Sequence, residues 1–176
     1  MTKEQAAELA EKCGFSHWGF FQASDLRFLQ EVRDMCAADK CHKYDNCWSC
    51  PPACGTLEES RAKASGYDWG ILLQSTGAME DDFDVETMMG TEEEQKSRLA
   101  AFVEALDAEE RYLPMSSGAC CICKTCTYPD APCRFPDRMI TSMEAYGLVV
   151  SEVCESADTP YYYGPGTITY TSCVLF

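Results

Sequence analysis

The chain has 176 residues, enough for one ordinary domain with a hydrophobic core. Its 29 acidic residues outnumber its 14 basic ones, and the resulting net charge of −15 repels phosphate backbones, which argues against a nucleic-acid partner. No apolar run approaches the roughly 20 residues that cross a bilayer, and no basic amphipathic stretch suits an anionic membrane, so we expect no membrane partner.

The cysteine content is high, with 13 cysteines in the chain. Such a share approaches that of secreted disulfide scaffolds, but the count is odd and no charged-then-apolar signal segment is recognisable. We therefore expect a reducing cytoplasm. In that compartment closely spaced cysteines bind metal more often than they pair with each other.

The first third of the chain alternates helical and strand patterns. Small and apolar side chains at helical spacing predict a helix over residues 3–13. The aromatic segment 15–21 predicts a strand, and a second helix is predicted over 23–35 with Ser24 or Asp25 as its cap.

Beyond the first cysteines, Thr56 is placed to cap a helix that continues to about residue 65, and 69–75 reads as a buried strand. Thr91 is predicted to begin the longest helix. Three further elements are predicted, namely a helical turn at 141–146, a strand at 148–153 and a terminal strand at 167–176.

This order of elements predicts an α+β or mixed α/β fold. No low-complexity linker divides the chain, so residues 1–176 are predicted to form a single compact domain. Two cysteine-rich loops, 41–54 and 120–133, would carry the metal-binding residues.

The second cysteine group is the clearer metal-binding pattern. Cys120, Cys123 and Cys126 are spaced by two residues, and Cys133 follows after six more. Three thiolates at this spacing surround one face of an iron–sulfur cube, and a more distant cysteine completes the set, as in bacterial ferredoxins. Zinc is the alternative, although zinc sites usually pair two separate Cys-x2-Cys knuckles.

The first group contains Cys41, Cys47, Cys50 and Cys54, separated by five, two and three residues. The last three reproduce part of the ferredoxin spacing, which predicts a second [4Fe-4S] cluster. Cys36 or His42 is an alternative to Cys41. Exchange of ligands between the two groups is a further alternative, because two-cluster ferredoxins share their cysteines in that crossed way.

The remaining five cysteines are interpreted as small core residues or as neighbours of the ligands. They are Cys13, Cys36, Cys121, Cys154 and Cys173. Cys121 lies between two predicted ligands, so its thiol is expected near the cluster. Arg134 and Arg138 are expected to neutralise the charge of that cluster.

At these motifs the chain resembles an uncharacterised family of cysteine-rich, predicted metal-binding proteins, a domain of unknown function common in anaerobic bacteria and archaea. The matching segments are the 41–54 group with Trp48 and Cys50-Pro51-Pro52, the Cys120-x2-Cys123-x2-Cys126 run, Cys133-Arg134-x-Pro136 and Ser142-Met143-Glu144-Ala145-x-Gly147. The resemblance implies metal binding and an anaerobic setting, but no particular reaction.

The function predicted from these patterns is that of an iron–sulfur protein with two [4Fe-4S] clusters, which exchanges electrons with a redox partner bearing a basic docking surface. Two alternatives stay open. One is an enzyme that binds its substrate at an exposed cluster, and the other is a zinc-binding structural or interaction module. No phosphate-binding glycine loop, nucleophile elbow or metalloprotease helix is present.

Overall fold

The computed structural model describes residues 1–176 and has an α+β fold, as predicted. Five helices and four strands follow one another along the chain. They are α1 (Lys3–Lys12), β1 (His17–Gln22), α2 (Gln30–Ala37), α3 (Leu57–Ala64), β2 (Trp69–Ala78), α4 (Val85–Glu104), β3 (Leu113–Met115), α5 (Val150–Ser156) and β4 (Thr167–Leu175).

The four strands form one antiparallel sheet in the order β1-β2-β4-β3. Successive side chains of a strand point to opposite faces. In β2, Ile71 and Leu73 therefore pack on one face with Leu99 and Phe102 of α4, whereas Leu72 packs on the other face. Both faces of the central strands are buried, which explains the continuous apolar run in the sequence.

The predicted helices at 3–13 and 56–65 are confirmed, and each begins with a capping box. The side chains of Thr2 and Thr56 accept hydrogen bonds from the third residue of their helices, and Gln5 and Glu59 bond back to the cap backbone. The strands predicted at 15–21, 69–75 and 167–176 are also present, with shifted ends.

Two predicted elements are wrong and a third is too short. Residues 23–35 do not form one helix, because Leu29 donates a backbone hydrogen bond to Gly147 and α2 begins only at Gln30. The segment 148–153 is mostly helical, in α5, since a short apolar run does not distinguish a strand from a helix. The longest helix begins at Val85 instead of Thr91, with Asp84 as its cap.

The cysteine-rich segments 38–56 and 117–141 contain no helix or extended strand and consist of turns, bends and loops. They lie outside the two hydrophobic clusters that pack on the sheet, apart from Ile140 at the edge of one of them. None of the five helices combines the length and the apolar composition needed to cross a membrane.

Candidate metal centre

One cavity of about 140 Å³ lies between the two cysteine-rich segments. This volume is roughly ten times what a single water molecule needs. Five thiol-bearing residues line it, namely Cys47, Cys120, Cys123, Cys126 and Cys133. All four cysteines of the second group therefore face one space, and one cysteine of the first group joins them.

Contacts outside the thiols hold the two segments together around this cavity. Trp48 donates its ring N–H to the carbonyl oxygen of Ala131 at 3.1 Å and packs edge-on against Tyr128. The Tyr128 hydroxyl donates to a carboxylate oxygen of Asp45 at 2.7 Å. The first and second cysteine groups are thus neighbours in space, although about 65 residues separate them along the chain.

Cys47 lies at the junction of the two groups and is 3% exposed. Its sulfur is 3.3 Å from the Ser49 hydroxyl, and that hydroxyl accepts a hydrogen bond from the Cys120 backbone N–H. The Cys50 thiol, the Ser49 hydroxyl and the Cys126 thiol donate hydrogen bonds that lower the pKa of Cys47 below its usual range. The thiolate form, which binds metal, is therefore favoured at this residue.

A second set of thiols lies between α2 and the first cysteine loop. Arg33 of α2 donates to the carbonyl oxygens of Ala145 and Gly55, and its guanidinium is 3.8 Å from the Cys54 sulfur. Burial raises the pKa of Cys54, and the positive charge of Arg33 opposes that shift. Burial also raises the pKa of Cys36, with smaller contributions from Glu144, Cys41 and Cys54. Arg33 therefore places α2 against Cys54, and Cys36 lies on the same face of that helix.

Four further cysteines lie apart from both sets, whereas Cys50 contacts Cys47, to whose sulfur its thiol donates a hydrogen bond. Cys154 and Cys173 are fully buried in the core, and Cys13 packs beside the second hydrophobic cluster. Cys121 is exposed, and its sulfur is 3.1 Å from the Lys96 ammonium nitrogen. Although it lies between two predicted ligands, Cys121 does not line the cavity.

The charged residues around the cavity are all basic. Lys43, Lys124 and Arg134 line it, and no aspartate or glutamate does. Arg134 donates to the Thr125 carbonyl oxygen at 2.9 Å, whereas Arg138 packs over the Phe135 ring outside the lining. In a chain of net charge −15, this local excess of cations suits an anionic group.

Neither of the two histidines lies at the cavity. His17 stacks on the Tyr163 ring at the edge of the sheet. The side chain of His42 is 89% exposed, and its ring nitrogen is 3.9 Å from an Asp39 carboxylate oxygen. Neither histidine is therefore a candidate donor at the cavity.

Residues 19–176 match a family described as predicted metal-binding protein, DUF2284. The chain belongs to the DUF2284 family. No curated protein and no solved structure matches it. The DUF2284 match begins within β1 and includes both cysteine-rich segments, so the shared region contains β2, β3 and β4 and every thiol around the cavity.

The donor set of this DUF2284 chain fits metal in kind, because thiolates are the ligands that zinc, Cu(I) and iron–sulfur clusters prefer. Four thiolates around one zinc ion lie about 3.8 Å apart, since each Zn–S bond is about 2.3 Å. No three cysteine, histidine or carboxylate side chains converge on such a point.

The spacing of the cysteines predicted the four thiols of the second group but not the position of Cys47. Its gaps to Cys50 and Cys54 assigned Cys47 to the first group, whereas its side chain faces the second. The only signal for this arrangement in the sequence was the general precedent of crossed ligation in two-cluster ferredoxins.

Proposed function

We propose that this DUF2284 protein binds [4Fe-4S] clusters and exchanges single electrons with a partner protein. The observation that carries the proposal is the cavity of about 140 Å³, which five thiols line and no carboxylate enters. Cys120, Cys123, Cys126 and Cys133 are the ligands we propose there, and the first cysteine group supplies a second cluster. When bound, such a cluster supplies one-electron redox chemistry.

The size of the cavity favours a cluster over a single ion. A single zinc ion needs only four donors about 2.3 Å from the metal. Here five thiols line a space of about 140 Å³, which suits a metal–sulfide core.

The other residues that line the cavity suit a redox centre. An iron–sulfur cluster bound by four thiolates is an anion, and Lys43, Lys124 and Arg134 would offset its charge and raise its reduction potential. Trp48 and Met139 contribute apolar surface, which limits the access of water to the cavity. Burial and nearby charge are the main means by which a protein tunes such a potential.

A partner with a basic docking surface is the natural complement of this chain. The net charge is −15, and the segment between β2 and α4 exposes Glu80, Asp81 and Asp82. Charges of opposite sign accelerate association between proteins, most strongly at low ionic strength. We therefore expect the rate of electron exchange with a basic redox protein to fall as salt is added.

Anaerobic purification followed by metal and sulfide analysis tests the proposal. We expect a brown protein that bleaches with dithionite and contains about eight iron and eight sulfide per chain. A colourless protein that contains zinc alone, or no metal, would overturn it. Cys123→Ser and Cys126→Ser should each reduce the iron content, whereas Cys121→Ser, which removes a thiol outside the cavity, should not.

A further inference from the structure

Helix α2 presents Arg33 and Cys36 on one face, because residues three apart in a helix are neighbours. Both side chains reach the same segment. Arg33 donates to the Ala145 carbonyl oxygen, and the Cys36 sulfur is 4.0 Å from the Glu144 carbonyl oxygen. Since Arg33 also contacts the Cys54 sulfur, Cys36 is held on the side of α2 that faces the first cysteine loop.

Arg33 lacks the partner that a buried cation needs. It is 9% exposed, and none of the ion pairs of the protein includes it. Two backbone carbonyl oxygens accept hydrogen bonds from the guanidinium N–H groups. No carboxylate within ion-pair distance balances the positive charge. A buried charge is costly unless it is paired, so this site calls for an anion beside Cys54.

Cys47 lies between the two groups, because its sulfur accepts a hydrogen bond from the Cys50 thiol while its side chain faces the cavity of the second group. It lines the cavity of the second group, and its neighbour Ser49 binds the backbone of Cys120. Cys36, Cys41, Cys50 and Cys54 do not line that cavity. Without Cys47, the first group has three cysteines, which is one fewer than a [4Fe-4S] cluster with complete cysteine ligation requires.

We propose that Cys36 is the missing ligand, so that Cys36, Cys41, Cys50 and Cys54 bind one metal centre while Cys47 faces the other. This assignment rests on the proposed function. It places metal-bound thiolates beside Arg33, and these supply the anion that the buried guanidinium lacks. It also brings together ligands from α2 and from the loop that follows, so the centre would fasten the end of α2 to residues 41–54.

Cys36→Ser and Cys41→Ser test the assignment through metal content and through the electron paramagnetic resonance spectrum of the reduced protein. Each variant should contain about half the iron and sulfide of the parent and should lack the same signal. The double variant Cys36→Ser/Cys41→Ser should lose no more iron and sulfide than either single variant. The double variant Cys36→Ser/Cys126→Ser should lose nearly all of its iron and sulfide, because it removes a ligand from each centre. Cys13→Ser and Cys121→Ser are the matched controls and should keep full content.

A measurement on the unaltered protein covers the case in which a variant does not fold. Cys36 and Cys13 are both half-buried, so their rates of alkylation by iodoacetamide are comparable probes. Removal of the metal with a chelator should accelerate labelling of Cys36 at least about tenfold, because a metal-bound thiolate is not free to react. Labelling of Cys13 should not change.

The two proposals fail in different ways. A parent protein without iron and sulfide would overturn the proposed function. A parent with two centres, in which Cys36→Ser keeps both signals and Cys36 is labelled equally with and without metal, would overturn the ligand assignment alone. Glu144 has a buried carboxylate oxygen without a hydrogen-bond partner and is the competing donor. Loss of the centre in Glu144→Gln but not in Cys36→Ser would assign the site to Glu144 instead.

Discussion

The sheet and the cysteine-rich segments are stabilised in different ways. Around the sheet, 22 buried residues form two hydrophobic clusters, one on each face, and the strands are paired along their length. Segments 38–56 and 117–141 have no such ladder, and they meet through thiols and a few side-chain hydrogen bonds. Burial of apolar surface accounts for the order of the first region, whereas the second region depends on polar contacts that metal would complete.

The largest effect is expected from removing the metal. Metal binding contributes folding free energy locally, about 10 kcal/mol or more in small zinc domains. Stripped protein should therefore be cut by trypsin at Lys43 and Lys124, which are exposed in the two segments, at least about tenfold faster. The rate of cleavage after Arg61, which is exposed on α3, should not change. Equal acceleration of cleavage at all three residues would mean that the metal stabilises the whole fold.

A substitution in the core should show the opposite pattern. Phe102 is fully buried and contacts Phe15 edge-on, so Phe102→Ala should lower the free energy of unfolding by about 3 to 5 kcal/mol in urea titrations. Phe83→Ala removes the same ring from a residue that is 87% exposed and should change it by no more than about 0.5 kcal/mol. A similar loss in both variants would contradict the role of burial at this face of the sheet.

The pH dependence of stability distinguishes core thiols from thiols that bind metal. Burial raises the pKa of Cys154 to about 11 from its ordinary value of 9.0. The folded state thus favours the neutral thiol, so this contribution is complete below about pH 9 and is lost as the pH rises through 11. Between these values the free energy of unfolding should fall by about 2 to 3 kcal/mol from this group.

Urea titrations at pH 8 and pH 10.5 under reducing conditions measure that loss. Cys154→Ala has no thiol to ionise, and its stability should decline less over the same interval than that of the parent. Equal declines in the two proteins would show that Cys154 does not titrate with unfolding in this range.

The smallest effect is expected at the start of α3, which follows the first cysteine loop. Thr56 caps this helix through its hydroxyl, so Thr56→Ala should cost about 1 kcal/mol of unfolding free energy. Ser24→Ala alters an exposed hydroxyl in the turn after β1 and should be neutral within about 0.5 kcal/mol. A cost for Thr56→Ala that disappears when the metal is removed would show that α3 is ordered through the loop.

Local signals predicted most of the elements because their causes are local. The capping residues Thr2 and Thr56 and the apolar run in β2 stand next to the structures they stabilise. The segments 23–35 and 148–153 were predicted wrongly because their conformations depend on each other. Phe28 and Leu148 form an isolated bridge, and Leu29 bonds to Gly147. No pattern within either segment shows a contact with a residue about 120 positions away.

The sequence by itself predicted an α+β or mixed α/β fold and determined that the thiols occur in closely spaced groups suited to metal, because hydrophobic period and cysteine spacing are properties of short segments. The tertiary structure decided which thiols meet. It directs Cys47 toward the second group and places Arg33 of α2 against Cys54, through contacts between segments that are distant in the chain. Spacing measures separation along the backbone, whereas a shared metal centre requires proximity in space, and only the packed fold relates the two.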